Sequence, residues 1–435
     1  MANGVFARAK RALVGRALHN DQLGETLLPK RIALPVFASD ALSSVAYAPD
    51  EVFLTLSVAG LSAYAFSWKI GLVVALVMLT VVASYRQNVH AYPSGGGDYE
   101  VATVNLGGSA GLVVASALLV DYVLTVAVSI SSGIQNAASA LTFMRGHEAI
   151  YAAILVLVLM AMNLRGVRES GTAFAIPTYA FMVGIILMGL YGLYRFFVSQ
   201  DLPMVESAGL VLKQESGFET FGGLAAAFLI LRAFSSGCAA LTGVEAISNG
   251  VPAFRKPKSK NAATTLLMLG LIAVSMLMAI IWLANKMNLR YAENPAEQLL
   301  LNGVPVGNSY TQETVIAQIS RALFSNFSVG FYFITAVTGV ILILAANTAF
   351  NGFPVLASIL AHDKWLPAQL RNRGDRLAYS NGIIILALAA VILILSYNAE
   401  VTRLIQLYIV GVFVSFNLSQ TGMIRHWNRL LKTES

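Results

Sequence analysis

Residues 262–284 carry no charged side chain over a length that can cross a lipid bilayer. A spanning α-helix needs roughly 20 mostly apolar residues, because a segment that leaves water must satisfy its own backbone hydrogen bonds. The whole chain has the same bias, since 57% of its residues are hydrophobic and 12% are charged, against roughly 25% charged in soluble domains. A membrane β-barrel would instead show short alternating segments. The sequence therefore predicts an all-α membrane protein.

Ten segments are predicted to span the membrane. They lie near residues 32–60, 66–85, 110–140, 149–164, 171–194, 222–250, 262–284, 327–360, 382–397 and 404–422. Most of the 29 Lys and Arg residues fall in the segments that are inside if the chain starts inside, so both termini are predicted to be cytoplasmic. The net charge of +7 then reflects topology and contact with anionic lipids in a plasma membrane. Nucleic acid is not an expected partner.

Two stretches far apart in the chain share an unusual order of residues. Residues 41–45 and 240–244 both contain Ala, Leu, a hydroxyl residue, a small residue and Val, in the first and sixth predicted spans. Paired interruptions in the two halves of a membrane protein indicate the central binding site of a transporter. An acid within the bilayer needs a cation, a proton or a partner. Asp40 and Glu245 at these interruptions therefore favour a carrier of cations.

A carboxylate and two hydroxyls recur every four residues on the third predicted span. Asp121, Thr125 and Ser129 share one helix face, and that face is expected to point away from lipid because a carboxylate is costly there. Thr and Ser alone would be ordinary, since they often bond to the helix backbone or to a neighbouring helix. The carboxylate in line with them is what favours a binding site.

These positions offer the oxygen ligands that a dehydrated potassium ion requires. Broken helices free backbone carbonyls, and hydroxyl and carboxylate side chains add further oxygens. The residues of the right ligand type are Asp40, Tyr47, Asp121, Thr125 and Thr242. Oxygen donors without His or Cys argue against a soft transition metal, so no metal beyond potassium and no cofactor are expected. No catalytic residue is predicted, and the chain is not expected to be an enzyme.

Glu245 follows Thr242 by three residues and is predicted to carry a coupled proton. A buried carboxylate near other carboxylates can load and release a proton near neutral pH. The alternative is a neutral Glu whose hydrogen bonds hold the two half-helices together. Coupling to sodium in place of the proton stays open.

Arg232 and Asp50 are predicted at similar depths outward of the two interruptions. An ion pair between them would form an outer gate. The alternatives are a purely structural pair, or an arginine whose side chain extends toward the membrane surface.

The interrupted first and sixth spans resemble the LeuT-type fold of the amino acid-polyamine-organocation superfamily, which is a 5+5 inverted repeat. That fold implies five-helix repeats at 32–196 and 218–424, separated by an outer loop at 197–217, with cytoplasmic segments at 1–31 and 425–435. Many permeases of this superfamily receive a substrate carboxylate at the first interruption. Here Asp40 would repel a carboxylate, which favours a metal cation over an amino acid.

Three strings with uncommon residue orders resemble one branch of this superfamily more closely. They are SDALSSVAYAPDE at 39–51, SYRQNVHAYPSGGGDY at 84–99 and LLVDYVLTVAVSISSG at 118–133. They look like the KUP family of potassium uptake proteins, in particular its bacterial proton-coupled importers. The resemblance implies potassium and protons as substrates, and a homodimer if the full protein has the family's C-terminal domain. It implies a potassium site of Asp40, Tyr47, Asp121, Thr125, Ser129, Thr242 and Tyr408, with Glu245 as the proton-coupling acid.

The sequence thus predicts a secondary active transporter that imports potassium with protons by alternating access. The alternative on the same fold is a permease for amino acids or polyamines, in which Asp40 or Asp121 binds an ammonium group. A channel is disfavoured because no TVGYG-type filter string occurs. A membrane sensor that transports nothing is a third class, and it would show no ion flux.

Overall fold

The computed structural model describes residues 27–95, 97–165, 171–215, 218, 222–372 and 379–434. Most of the predicted N-terminal segment, residues 1–26, lies outside the described residues. The α-helices of the described part are α1 (Lys30–Ser43), α2 (Ala48–Ser57), α3 (Leu61–Tyr64), α4 (Ser67–Ala91), α5 (Gly97–Leu106), α6 (Gly108–Ala140), α7 (Glu148–Leu164), α8 (Gly171–Tyr194), α9 (Gly223–Gly237), α10 (Ala246–Asn249), α11 (Lys258–Lys286), α12 (Pro295–Gln298), α13 (Val315–Leu323), α14 (Ser328–His362), α15 (Ser380–Ser396) and α16 (Val401–Glu434).

Eight helical segments of the described chain are long and apolar enough to cross a membrane. They are Lys30–Ser57, Ser67–Ala91, Gly108–Ala140, Phe174–Ser199, Gly223–Asn249, Lys258–Lys286, Ser328–His362 and Val401–Lys432. The fourth and ninth predicted spans correspond to α7 and α15, which are apolar but have only 17 residues each. The chain is therefore a multi-pass α-helical membrane protein.

Both predicted helix interruptions are present. Helix α1 ends at Ser43, and α2 begins at Ala48 after a short 3-10 turn. Helix α9 ends at Gly237 and continues as a 3-10 turn over Cys238–Leu241, and α10 begins only at Ala246. Each interruption frees backbone groups from the helical ladder, so these groups need other partners.

The two interruptions touch each other. Gly243 has a φ of +78°, a left-handed conformation that glycine adopts without steric cost. A Cβ atom at Gly243 would lie 2.7 Å from the backbone N of Ala41 and 2.8 Å from the carboxyl carbon of Asp40. The Ser44 hydroxyl also donates across the contact, to the carbonyl of Ala240 at 3.1 Å. Any larger residue at Gly243 would push the interruptions apart.

Long helices surround this contact. Helix α6 packs against α14 and α16, and α4 packs against α11. A continuous set of buried apolar side chains fills the space between the helices. Because α6 is packed on several sides, its polar face points into the protein, as the residue spacing predicts.

A small antiparallel sheet joins the two longest connections. Its strands are β1 (Val211–Leu212), β2 (Leu299–Leu301) and β3 (Val304–Pro305). The second of these connections also contains the short helix α13, whose first turn is capped by the Thr314 hydroxyl, an acceptor for the backbone N–H of Ala317 at 3.3 Å.

Helix α16 extends beyond the boundary predicted at residue 424. It continues to Glu434, so the described part of the segment 425–435 is helical. The apolar pattern ends where the chain leaves the bilayer, but the polar residues that follow still favour a helix. Hydropathy therefore locates the edge of a span and not the end of its helix.

Candidate functional site

Three buried carboxylates lie where the interruptions meet α6. Asp40 is 7% exposed, Glu245 is 6% exposed and Asp121 is 3% exposed. In each carboxylate one oxygen is buried without a hydrogen-bond partner among the described residues, namely Oδ1 of Asp40, Oε2 of Glu245 and Oδ1 of Asp121. The charge of Asp121 interacts with those of the other two. A buried polar atom without a partner costs about 1–3 kcal/mol, and more when charged, so this region needs protons or a cation.

Two hydroxyls connect the interruptions beside these carboxylates. The hydroxyls of Tyr47 and Thr242 lie 3.2 Å apart, and Thr242 donates its only hydroxyl proton to the carbonyl of Ala239 at 2.9 Å. Tyr47 must therefore donate to Thr242. The lone pairs of the Tyr47 oxygen stay available for a cation.

The polar face of α6 forms the opposite side of the site. The Thr125 hydroxyl lies 2.9 Å from the hydroxyl of Tyr408 on α16, and both residues are buried. Ser129 is also buried, and its hydroxyl has no hydrogen-bond partner within the described ranges. The structure thus brings Tyr408, which only the family resemblance suggested, next to the predicted face.

The three carboxylates do not converge on one point. Within the described part of the chain, no group of three or more His, Cys, Asp or Glu side chains is arranged to hold a metal ion. Divalent cations such as calcium are usually bound by several carboxylates together. Hydroxyls, freed carbonyls and single carboxylates instead suit a monovalent cation.

The predicted gate pair, Arg232 and Asp50, is not formed among the described residues. Asp50 accepts hydrogen bonds from the hydroxyl of Tyr291 at 3.1 Å and from the backbone N–H of Val315 at 3.2 Å. Burial raises the pKa of Tyr291 well above its usual range, so its hydroxyl stays a neutral donor. Arg232 is exposed and its charge acts on Glu51. The predicted pair does not form, because the segment between α11 and α14 folds over Asp50 and supplies its donors.

Another buried carboxylate, to which the sequence assigned no role, is Asp98 in the first turn of α5. The Tyr85 hydroxyl lies 2.9 Å and 2.7 Å from its two oxygens, and the Ser415 hydroxyl lies 2.8 Å from Oδ2. Burial raises the pKa of Asp98, and hydrogen bonds from Tyr85, Ser419 and Ser415 oppose this rise. The protein itself therefore supplies the hydrogen-bond donors of the Asp98 carboxylate. The string at 84–99 contains both Tyr85 and Asp98, and was the only trace of this pairing in the sequence.

Two comparisons with known proteins agree with this arrangement. The model of the amino acid permease family matches residues 36–430. The chain belongs to the amino acid permease family. It is also 41% identical over 430 residues to "Potassium transporter KimA" of Bacillus subtilis (strain 168), an alignment that covers 97% of this chain and 65% of the relative. The chain thus spans less than two thirds of the length of that relative, and the predicted resemblance to a bacterial potassium transporter is confirmed.

Proposed function

We propose that the chain is a secondary active transporter that imports potassium, coupled to protons, by alternating access. The observation that carries this proposal is the set of buried carboxylate oxygens without partners on Asp40, Asp121 and Glu245. Inside a membrane such oxygens require a cation or a proton. The 41% identity to a protein named as a potassium transporter supports potassium as the cargo.

The potassium ion would bind between the interruptions and α6. Hydroxyl oxygens whose lone pairs remain available would replace part of its hydration shell, and one carboxylate from each side would balance its charge. The proposed ligands are Asp40, Tyr47, Asp121, Thr125, Ser129, Thr242 and Tyr408.

Glu245 would carry the proton. Its charge interacts with that of Asp40, so a proton on Glu245 lowers the negative charge around the ion. Moving an uncompensated charge through a closed, low-dielectric site is costly. The site would therefore close with both the ion and the proton bound, which is the basis of symport.

Alternating access would use the ten-span 5+5 arrangement. At ~1.5 Å per residue, the 17-residue helices α7 and α15 are ~26 Å long, close to the hydrocarbon thickness of roughly 30 Å. They would serve as the fourth and ninth spans, and both termini would be cytoplasmic in a bacterial plasma membrane. The first, second, sixth and seventh spans would rock against the others. The transporter would need no cofactor and would catalyse no covalent reaction, and a homodimer is proposed only for a full protein with a C-terminal domain.

An amino acid or polyamine permease is the second candidate, favoured by the family match over residues 36–430. In that case Asp40 or Asp121 would bind an ammonium group. The carboxyl carbon of Asp40 lies 2.8 Å from the position that a Cβ on Gly243 would take, so an acid occupies the contact between the interruptions. An amino acid carboxylate would meet repulsion there. Excess amino acids are therefore expected to leave rubidium uptake unchanged. Polyamines carry no carboxylate, so inhibition of rubidium uptake by excess polyamines would favour this second candidate.

Uptake of rubidium, a potassium analogue, into proteoliposomes tests the proposal. An inward gradient of one pH unit supplies about 1.4 kcal/mol, which is about tenfold in accumulation for one coupled proton. The gradient should stimulate the wild type, whereas Glu245→Gln should transport without responding to it or not transport at all. Glu297→Gln is the matched control, because Glu297 is an exposed residue of α12. A Glu245→Gln variant that responds as the wild type does would contradict the proton role.

A further inference from the structure

A cavity of about 490 Å³ lies next to the central site, on the side of the segment between α11 and α14. Tyr47 lines this cavity and also donates to Thr242 of the central site. Since a water molecule occupies roughly 30 Å³ in the liquid, the cavity can hold a cation together with part of its water shell. It is the path by which a cation would reach Tyr47 from that side.

Glu51 lines this cavity and is only 2% exposed. Its Oε1 accepts a hydrogen bond from the Thr402 hydroxyl at 2.7 Å, but its Oε2 has no partner in the part of the chain that the structure describes. If Glu51 is ionised, its charge is buried with one oxygen uncompensated. If it is protonated on Oε2, a buried donor lacks an acceptor. Both states are costly, and a bound cation removes the cost of the first.

Five other carboxylates of the described chain line the same cavity, namely those of Asp50, Glu148, Glu293, Glu313 and Glu400. Four of these have hydrogen-bond donors or cationic partners of their own, namely Asp50, Glu148, Glu313 and Glu400. Glu293 lines the cavity, and its charge repels that of Glu51. Arg232 attracts Glu51 electrostatically but does not line the cavity. Arg145, the cation that does line it, pairs with Glu313 at 3.4 Å. A cation between Glu51 and Glu293 would relieve their repulsion.

We propose that Glu51, Glu293 and Thr402 form an outer binding site for a partly hydrated alkali cation, which precedes the central site on the transport path. The inference rests on the proposed function only in identifying this cation with the cargo. Two carboxylates and one hydroxyl suit a monovalent ion, whereas divalent sites usually gather more carboxylates. Because the cavity leaves room for water, the outer site should select weakly between potassium and sodium.

Equilibrium binding of radioactive rubidium to the purified protein in detergent tests this site separately from the central one. The wild type should bind two rubidium ions per chain. Asp121→Asn should keep the outer ion, Glu51→Gln should keep the central ion, and the double variant should bind neither. Glu297→Gln, which alters an exposed carboxylate outside the cavity, should bind as the wild type does.

The outcomes of this experiment distinguish the outer site from the central site and the proposed function. If Glu51→Gln binds as many ions as the wild type, the outer site is wrong while the proposed function stands. If Asp121→Asn binds as many ions as the wild type, the central site and the proposed function fail instead. Excess sodium should displace the rubidium that remains on Asp121→Asn, and failure to do so would also contradict the outer site.

A second variant protects the test against misfolding of Glu51→Gln. Glu293 is exposed, so Glu293→Gln should fold normally and raise the Kd of the outer ion about fivefold, as expected for the loss of one charge at a solvated site. An unchanged Kd in this variant would overturn the assignment of Glu293. Thr402→Val should raise the same Kd by a similar factor, because it removes the hydroxyl oxygen of the site and the hydrogen bond that positions Glu51.

Discussion

Asp98 and Asp121 are buried to almost the same degree, at 1% and 3% exposed, but the protein treats them differently. Hydroxyls of Tyr85 and Ser415 donate to the carboxylate of Asp98. Asp121 has an oxygen without a partner in the described chain, and its charge interacts with those of Asp40 and Glu245. The protein supplies hydrogen-bond donors to the carboxylate of Asp98 and leaves an oxygen of Asp121 available for a ligand. Burial of a carboxylate therefore does not by itself indicate a binding site, whereas a lack of hydrogen-bond donors to it does.

Their places in the helices explain part of this difference. Asp98 lies in the first turn of α5, where the helix dipole favours a negative charge. Asp121 lies in the middle of α6, which runs from Gly108 to Ala140, so the nearby backbone N–H groups are already used in the helix. No local group of α6 can compensate Asp121, and the contact between the interruptions brings further acids.

The largest expected effect is that of Asp121→Asn. Rubidium uptake should fall about 100-fold, since a lost charge-assisted interaction is worth up to about 3 kcal/mol. The melting temperature in detergent should stay the same or rise, because the substitution removes an uncompensated buried charge. Retained uptake together with a lower melting temperature would mean that Asp121 is structural, as Asp98 is.

Asp98→Asn should behave in the opposite way. The new side-chain amide would point N–H donors at hydroxyls that donate to the carboxylate in the wild type. The folded state should therefore lose about 2 kcal/mol, which would appear as a lower melting temperature in detergent. The KM for rubidium in the protein that remains folded should not change. A large rise in KM with unchanged stability would move Asp98 into the transport machinery and remove the contrast with Asp121.

A smaller effect is expected for Ser415→Ala, which leaves the two contacts from Tyr85 in place. It should cost about 1 kcal/mol of stability, the usual net worth of one hydrogen bond, as measured by thermal or chemical unfolding. Ser275→Ala is the control, because Ser275 is exposed and its hydroxyl donates within its own helix, to the carbonyl of Leu271. Equal behaviour of the two variants would show that Asp98 does not depend on Ser415.

Local patterns in the sequence predicted the features that lie within one helix or one repeated string. The two interruptions and the polar face of α6 belong to this group, because each depends on the spacing of neighbouring residues. The pairing of Tyr408 with Thr125 could not be derived in this way, since these residues are 283 positions apart, and only the family resemblance suggested it.

Contacts between residues far apart in the chain could not be predicted from the sequence. The donors to Asp50 come from Tyr291 and Val315, and the partner of Glu51 is Thr402, 351 positions away. The rise of a helix predicts the depth of a residue in the membrane. It does not predict which loop folds over that residue. For this reason the sequence paired Asp50 with Arg232, and the cavity that Glu51 lines was missed.

Anomalous diffraction from crystals grown in rubidium tests the central claim most directly. The claim is that carboxylates without protein donors hold the transported cation. It predicts a rubidium peak in direct contact with oxygens of Asp40, Asp121 or Thr242, and none at Asp98. A peak at Asp98, or rubidium absent from the contact between the interruptions while uptake is active, would contradict the account.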